Sequence, residues 1–155
     1  MKIKYPYQPA GREIQYVSLD NSFMAMARHI ALTESLDDAI KTAAVVVKEG
    51  TVIATAANGS GYHKSHVCER VRLNIPTGQG YDLCEGCHPK NHAEGKAMAQ
   101  VRGAAGADVY LWGHWWCCES CWSAMIAARI KNIFLLEQSE KLFNKEHPDN
   151  ILGRW

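Results

Sequence analysis

At 155 residues the chain has room for one domain with its own core and too little for two. Its 47% hydrophobic and 21% charged residues are ordinary for a soluble globular protein, and a net charge of +1 argues against a broad polyanion-binding face while leaving small anionic ligands open. The opening MKIKYPYQPAGREIQ has no apolar signal segment, and no run nears the roughly 18 apolar residues of a membrane span, so a cytoplasmic protein without membrane contact is expected.

In chain order, residues 1–17 lack periodicity and read as an arm. Phe23, Met26, Ala27, Ile30 and Ala31 recur at helical spacing, which predicts a helix over about 20–34 with Asp20 or Ser22 placed to cap it. TAAVVVKEGTVIATAANG is two β-branched runs around Glu49-Gly50 and predicts a hairpin. Residues 58–91 are rich in Gly, His, Cys and Pro without a clear period; a loop this long inside a compact domain needs either a function or a metal staple. HAEGKAMAQVRGAAG predicts a helix closed by Gly103 or Gly106. ADVYLWG then predicts a strand, CCESCWSAMIAARI a helix and KNIFLLE a strand. The tail from 138 to 155 is polar and begins as helix. The expectation is one domain over 1–155, with its core at about 18–137 and helices packed on the faces of a sheet.

The six cysteines, without a secretory signal, favour metal over disulfides, because Cys84-x-x-Cys87 and Cys118-x-x-Cys121 are spaced as metal knuckles. A catalytic zinc needs three protein donors and one open position. His92 offers a nitrogen, and Cys118 and Cys121 at a helix start can both point toward one ion. Cys117 has Ser120 three residues on, so Cys117 is the surplus cysteine. At helix N-termini the exposed N–H groups and the dipole favour thiolate. Glu94 shares an inward stripe with Ala97, Met98 and Val101, which places a carboxylate beside metal-bound water to move protons rather than to bind metal.

A lone His-x-Glu is usually accidental, and a lone CxxC usually marks a structural zinc or a redox pair. Together, each at a helix start with a strand between, they form the signature of the zinc deaminases. The chain resembles the cytidine and deoxycytidylate deaminase superfamily, and within it most the dCMP deaminases, over about residues 22–137. FMAMARHIALTES resembles that family's first helix, AAVVVKEGTVIATAANG its hairpin and Asn-Gly loop, and HAE with CxxC its zinc site. The resemblance implies a three-layer α/β/α fold with a mixed sheet of about four to five strands. It implies His92, Cys118 and Cys121 as zinc ligands and Glu94 as the proton shuttle, with zinc-bound hydroxide attacking C4 of a cytosine ring and dCMP as the leading substrate. It also implies a homo-oligomer, a dimer or a hexamer, for which the apolar FMAMARHIAL helix could serve. Asn58 matches the family's sugar-binding asparagine, although Asn-Gly is also a common turn pair. Ala93, His114 and Trp116 join it as candidate substrate contacts, with core packing the rival reading for Trp112, Trp115 and Trp116 and a surface or packing role the rival for His114.

Three departures stand out. Cys117 replaces the family's proline, Lys96 its asparagine two residues after the Glu, and FLLE its strand-end aromatic. Cys68, Cys84 and Cys87 suggest a second, structural zinc with His66 as fourth ligand and His63 or His88 as alternatives. The rival is three unrelated reduced cysteines. Lys64, Arg70, Arg72, Lys90 and Lys96 surround the loop and could meet a phosphate. Two other readings stay open. One is a deaminase of a free base, a nucleoside or a modified purine or pterin; the other is a zinc-ribbon interaction module built on Cys84, Cys87, Cys118 and Cys121. No polymeric nucleic-acid partner is expected.

Overall fold

The structure, a computed structural model, describes residues 7–155. Its elements are β1 (Ile14–Val17), α1 (Ser22–Glu34), β2 (Ala43–Lys48), β3 (Thr51–Ala57), α2 (Glu69–Arg72), α3 (Ala93–Gln100), β4 (Asp108–Trp112), α4 (Glu119–Ala127), β5 (Asn132–Leu136) and α5 (Ser139–Leu142), with short 3-10 turns at Tyr62–Lys64, Tyr81–Leu83 and Pro89–Asn91. The strands form one five-stranded sheet in the order β1-β5-β4-β2-β3. β1, β5 and β4 run parallel, while β2 is antiparallel to both β4 and β3. The resemblance implied a mixed sheet of about four to five strands, and five are present among the described residues.

Two corrections follow. The arm expected over 1–17 begins outside the described residues, and its last four residues are β1, which pairs Ile14 with Ile133 at the sheet edge. The first helix is capped by Asn21, whose Oδ1 accepts from the N–H groups of Phe23 and Met24, and not by Asp20 or Ser22.

The hairpin turns on Glu49 and Gly50, both at positive φ (51° and 78°). That is the two-residue geometry whose twist matches the flanking strands. β2 is central and buried on both faces, which is why AAVVV reads as a continuous apolar run. Its residues alternate between two cores. Ala44 and Val46, with Val109 and Leu111 of β4, face Ala97 of α3 and Cys121 and Met125 of α4. Val45, Val47, Tyr110 and Trp112 face Met24, Ala27 and Ala31 of α1, with Phe143 beyond α5. Helices therefore cover both faces, giving three layers. Emptying a fully buried position such as Leu111 would cost about 2–5 kcal/mol. The apolar face of α1 is used up by the sheet, and Met26 points outward.

α3 stops at Gln100, short of Gly103 and Gly106, because Val101 turns extended (ψ 141°). The following segment must bring Ala107 to the start of β4, where Lys131 N donates to Ala107 O. β4 ends at Trp112 between a parallel and an antiparallel neighbour. That is the kind of switch point where open α/β sheets leave a crevice beyond the strand ends. Among the described residues no helix is long and apolar enough to cross a membrane.

Candidate metal centre

His92 is the N-cap of α3 and Cys118 the N-cap of α4, so both stand where helix N–H groups lack intrahelical acceptors. Cys118 Sγ accepts from Cys121 N at 3.4 Å. Nδ1 of His92 lies 3.5 Å from Sγ of Cys118 and 3.5 Å from Sγ of Cys121. The three donor atoms fall within 4.8 Å of one another, and Cys117 is not among them. On the far side of the ring, Nε2 of His92 donates to Cys87 O at 3.0 Å. A carbonyl can only accept, so this bond leaves the Nδ1 lone pair for a metal.

The electrostatics suit a cation. The bond from Cys121, opposed by burial and aided by His92, brings the Cys118 thiol down to about 4. Cys121 is held on the protonated side by that same pairing and by burial. For His92, burial disfavours the charged ring, but Cys118 and Glu94 outweigh it and raise its pKa. Such a pair of thiols sharing negative charge beside an imidazole is stabilised by a divalent ion, which draws off the remaining proton. Two thiols and one imidazole nitrogen, three protein donors in all, fit a zinc site with an open position.

Glu94 sits in the first turn of α3 and is buried at 5% exposure. Burial raises its pKa, with His92 pulling the other way. The Cys117 thiol is hydrogen-bonded to this carboxyl, and burial followed by the Glu94 charge raises the Cys117 pKa. The surplus cysteine thus belongs to the acid rather than to the metal donors.

Aromatic rings wall the centre. The Tyr81 ring meets the His92 ring edge-on at 4.9 Å and stacks on Trp116 at 6.4 Å. Trp116 in turn meets His114 at 4.7 Å. Nδ1 of His114 accepts from the N–H groups of Trp115 and Trp116. Tyr81 was not singled out in the sequence; it lies in a stretch without period, and its only signal is proximity to the Cys84-x-x-Cys87 knuckle.

Several of the other residues singled out in the sequence have definite partners within the protein. Asn58 Oδ1 accepts from Ser35 Oγ and Thr42 N, and its Nδ2 donates to Ile40 O, so its amide closes the 35–42 segment. These bonds fit the turn reading of Asn58. Ala93 is fully buried in the core between α3, α4 and the sheet. Trp112 packs on Phe143 and Trp155 in the α1 layer. The cationic cluster is largely engaged. Arg72 pairs with Glu69, Lys90 with Glu85, Lys96 donates to Gly59 O, and Arg70 donates to the carbonyls of Pro76 and Gln79.

A second group gathers Cys68, Cys84, Cys87 and His63 within 4.8 Å. Nε2 of His63 lies 3.2 Å from Cys84 Sγ and 3.9 Å from Cys87 Sγ, and the Cys68 and Cys87 sulfurs are 3.6 Å apart. The fourth member is His63, not His66. The His66 ring is stacked on Tyr62 at 4.3 Å, with Nδ1 turned to Ser65 Oγ. His88 lies outside the group, with its Nδ1 accepting from Lys90 N. Burial opposes ionisation of Cys84, but His63 and nearby backbone N–H groups bring it down to about 6, while burial pushes Cys87 up to about 12. The four cysteines of a zinc ribbon do not meet, because Cys84 and Cys87 lie in one group and Cys118 and Cys121 in the other.

Residues 17–137 match the family model of the cytidine and deoxycytidylate deaminase zinc-binding region. No curated protein matches the chain. Among solved structures it is similar to a dCMP deaminase from the cyanophage S-TIM5, at 18% identity and a TM-score of 0.49, covering 78% of this chain and 86% of that one. It is also similar to RibD of Acinetobacter baumannii, at 20% identity and a TM-score of 0.45, over 75% of this chain but 27% of that one. A guanine deaminase from Bacillus subtilis aligns at 23% identity and a TM-score of 0.44, covering 76% and 65%.

Proposed function

Because the chain belongs to the family defined by the cytidine and deoxycytidylate deaminase zinc-binding region, we propose that it hydrolytically deaminates a cytosine-type nucleotide, with dCMP the first candidate. The observation that carries this reading is the convergence of His92 Nδ1, Cys118 Sγ and Cys121 Sγ beside the buried Glu94. In this reading His92, Cys118 and Cys121 hold zinc. When bound, zinc supplies a water activated for attack near neutral pH.

The chain's own residues do the rest. Glu94 takes a proton from the attacking water and delivers it to ring N3, then takes the proton of the new C4 hydroxyl and passes it to the departing amine, so that cytosine and water become uracil and ammonia. Its burial suits the task, since a carboxyl in a dry site holds a proton at a higher pH than one in water. Cys87 O holds the His92 ring through Nε2. Tyr81 and Trp116 offer aromatic faces against which a base can lie, and His114 is kept in the tautomer that donates through Nε2. The His63, Cys68, Cys84 and Cys87 group holds a second, structural zinc that orders the 58–91 loop. Assembly into a dimer or a hexamer belongs to the same reading.

The engaged state of Arg70, Arg72, Lys90 and Lys96 favours a second reading, in which the substrate lacks a phosphate and is a free base, a nucleoside or a modified purine or pterin. The test is ammonia release by zinc-loaded protein from dCMP, CMP, cytidine, deoxycytidine, cytosine, and adenine, guanine and pterin compounds. Preference for dCMP supports the first reading. Preference for an unphosphorylated compound supports the second.

A further inference from the structure

We propose that Cys87 couples the two metal-binding groups. Its sulfur belongs to the loop group and its carbonyl fixes the His92 imidazole, so occupancy of the loop group sets how tightly the His92, Cys118 and Cys121 group holds its zinc. This rests on the reading above, that both groups bind metal.

One residue makes both contacts. Cys87 Sγ lies 3.6 Å from Cys68 Sγ and 3.9 Å from His63 Nε2, while Cys87 O accepts from His92 Nε2 at 3.0 Å. Sulfur and carbonyl are separated only by Cβ, Cα and C, so a metal that fixes the sulfur restricts the carbonyl as well. The chain between Cys87 and His92 transmits this without slack. Asn91 N donates to His88 O, His92 N to Pro89 O, and Asn91 Nδ2 to Glu85 O.

A second path reaches the same ring. The Arg70 guanidinium lies 4.4 Å over Tyr81, whose ring meets His92 at 4.9 Å, and Nη1 of Arg70 lies 3.7 Å from Cys87 Sγ. His92 is therefore held from two sides by residues placed by the loop. The loop has little else to order it. Cys84 is the one buried residue from 61 to 92, and Val67 and Val71 are each 72% exposed. With so little apolar burial, the position of Cys87 depends on its donors being tied together. Loss of a partner that orients a metal-bound histidine typically lowers metal affinity by about 10–100-fold.

The test compares His63→Ala with His66→Ala in the full chain. His63 belongs to the loop group and touches no donor of the His92 group, while His66 lies in the same loop outside both. Zinc content and the rate of zinc loss to a chromophoric chelator are measured, along with exchange of the His92 Nε2–H proton by NMR. The unsubstituted protein should hold two zinc ions per chain. His63→Ala should hold one and release it roughly 10–100-fold faster, with faster exchange at His92 Nε2 and an unchanged far-ultraviolet circular dichroism spectrum. His66→Ala should match the unsubstituted protein. If His63→Ala fails to fold, Cys68→Ser carries the same comparison. Release of the remaining zinc at the original rate would overturn the coupling. One zinc in the unsubstituted protein would overturn it too, yet leave the His92, Cys118 and Cys121 reading standing, because that reading is judged by ammonia release.

Discussion

Nδ1 of His92 stands 3.5 Å from Sγ of Cys118, across 26 residues that include all of α3 and β4. Cys117, one residue earlier, lies outside the donor group, and burial and Glu94 raise its pKa. The adjacent cysteines should therefore separate cleanly. Cys118→Ser should lose one of two zinc ions or hold it far more weakly, and Cys117→Ala should keep both. Metal analysis by mass spectrometry checks this, and equal loss in both variants would show the donor register to be wrong by one residue.

Gly86 is needed for the loop group by shape alone. A Cβ there would stand 2.7 Å from Nε2 of His63, the atom facing Cys84. Gly86→Ala should push the imidazole aside and reduce zinc to about one ion per chain. The melting temperature of the sheet core should move little, since that core lies in other elements. Two tightly held zinc ions in Gly86→Ala would remove His63 from the donor set.

Gly95 plays the matching part at the other centre. A Cβ on it would lie 2.3 Å from Pro89 O, in the turn that delivers His92. The neighbour is backbone, so the turn itself must move. Gly95→Ala should lower stability by about 1–3 kcal/mol and weaken zinc at the His92 group. Urea unfolding together with zinc titration measures both, and wild-type values in each would contradict the packing described.

His114 gives a pH dependence with a definite sign. Burial, followed by the nearby His92, pulls its pKa from 6.5 down to about 4. The unfolded chain then binds more protons than the folded one between those values. The stability His114 contributes is complete above about 6.5 and is lost as pH falls through 4. His114→Asn keeps an acceptor for the two tryptophan N–H groups without the titration. It should lose less stability than the unsubstituted protein between pH 6.5 and 5, by about 1–2 kcal/mol. Zinc loss at acid pH is common to both and cancels in the difference. Identical acid sensitivity would mean that the fold does not hold His114 neutral.

The legible parts of this sequence were those with a short-range period or a fixed spacing. The hairpin showed as two β-branched runs, β4 and β5 as apolar runs between turns, and the metal donors as His-x-Glu and CxxC at helix starts. β1 was missed because Ile14 is its one buried residue and its partner, β5, lies at the other end of the chain. The exchange of His66 for His63 had a similar cause. The two differ by three residues in one loop, and the choice is made by the Tyr62–Lys64 turn after Gly61 at φ 74° and by the stacking of His66 on Tyr62. The partners of Asn58 could not be read from its Asn-Gly pair, since its amide is bonded to a segment sixteen to twenty-three residues earlier. Tyr81 carries no signature beyond its closeness to the Cys84-x-x-Cys87 knuckle, and only the folded loop brings it to His92.

The most direct test is the turnover of Glu94→Ala beside the unsubstituted protein, both zinc-loaded, on whichever compound releases ammonia fastest. The substitution removes the carboxyl that moves protons and leaves His92, Cys118 and Cys121 in place. Ammonia release should fall by about 10²–10⁴-fold while both zinc ions stay bound, which is the usual contribution of a positioned acid–base group. Near-full activity in Glu94→Ala, or no ammonia from any compound with the zinc-loaded unsubstituted protein, would contradict the account.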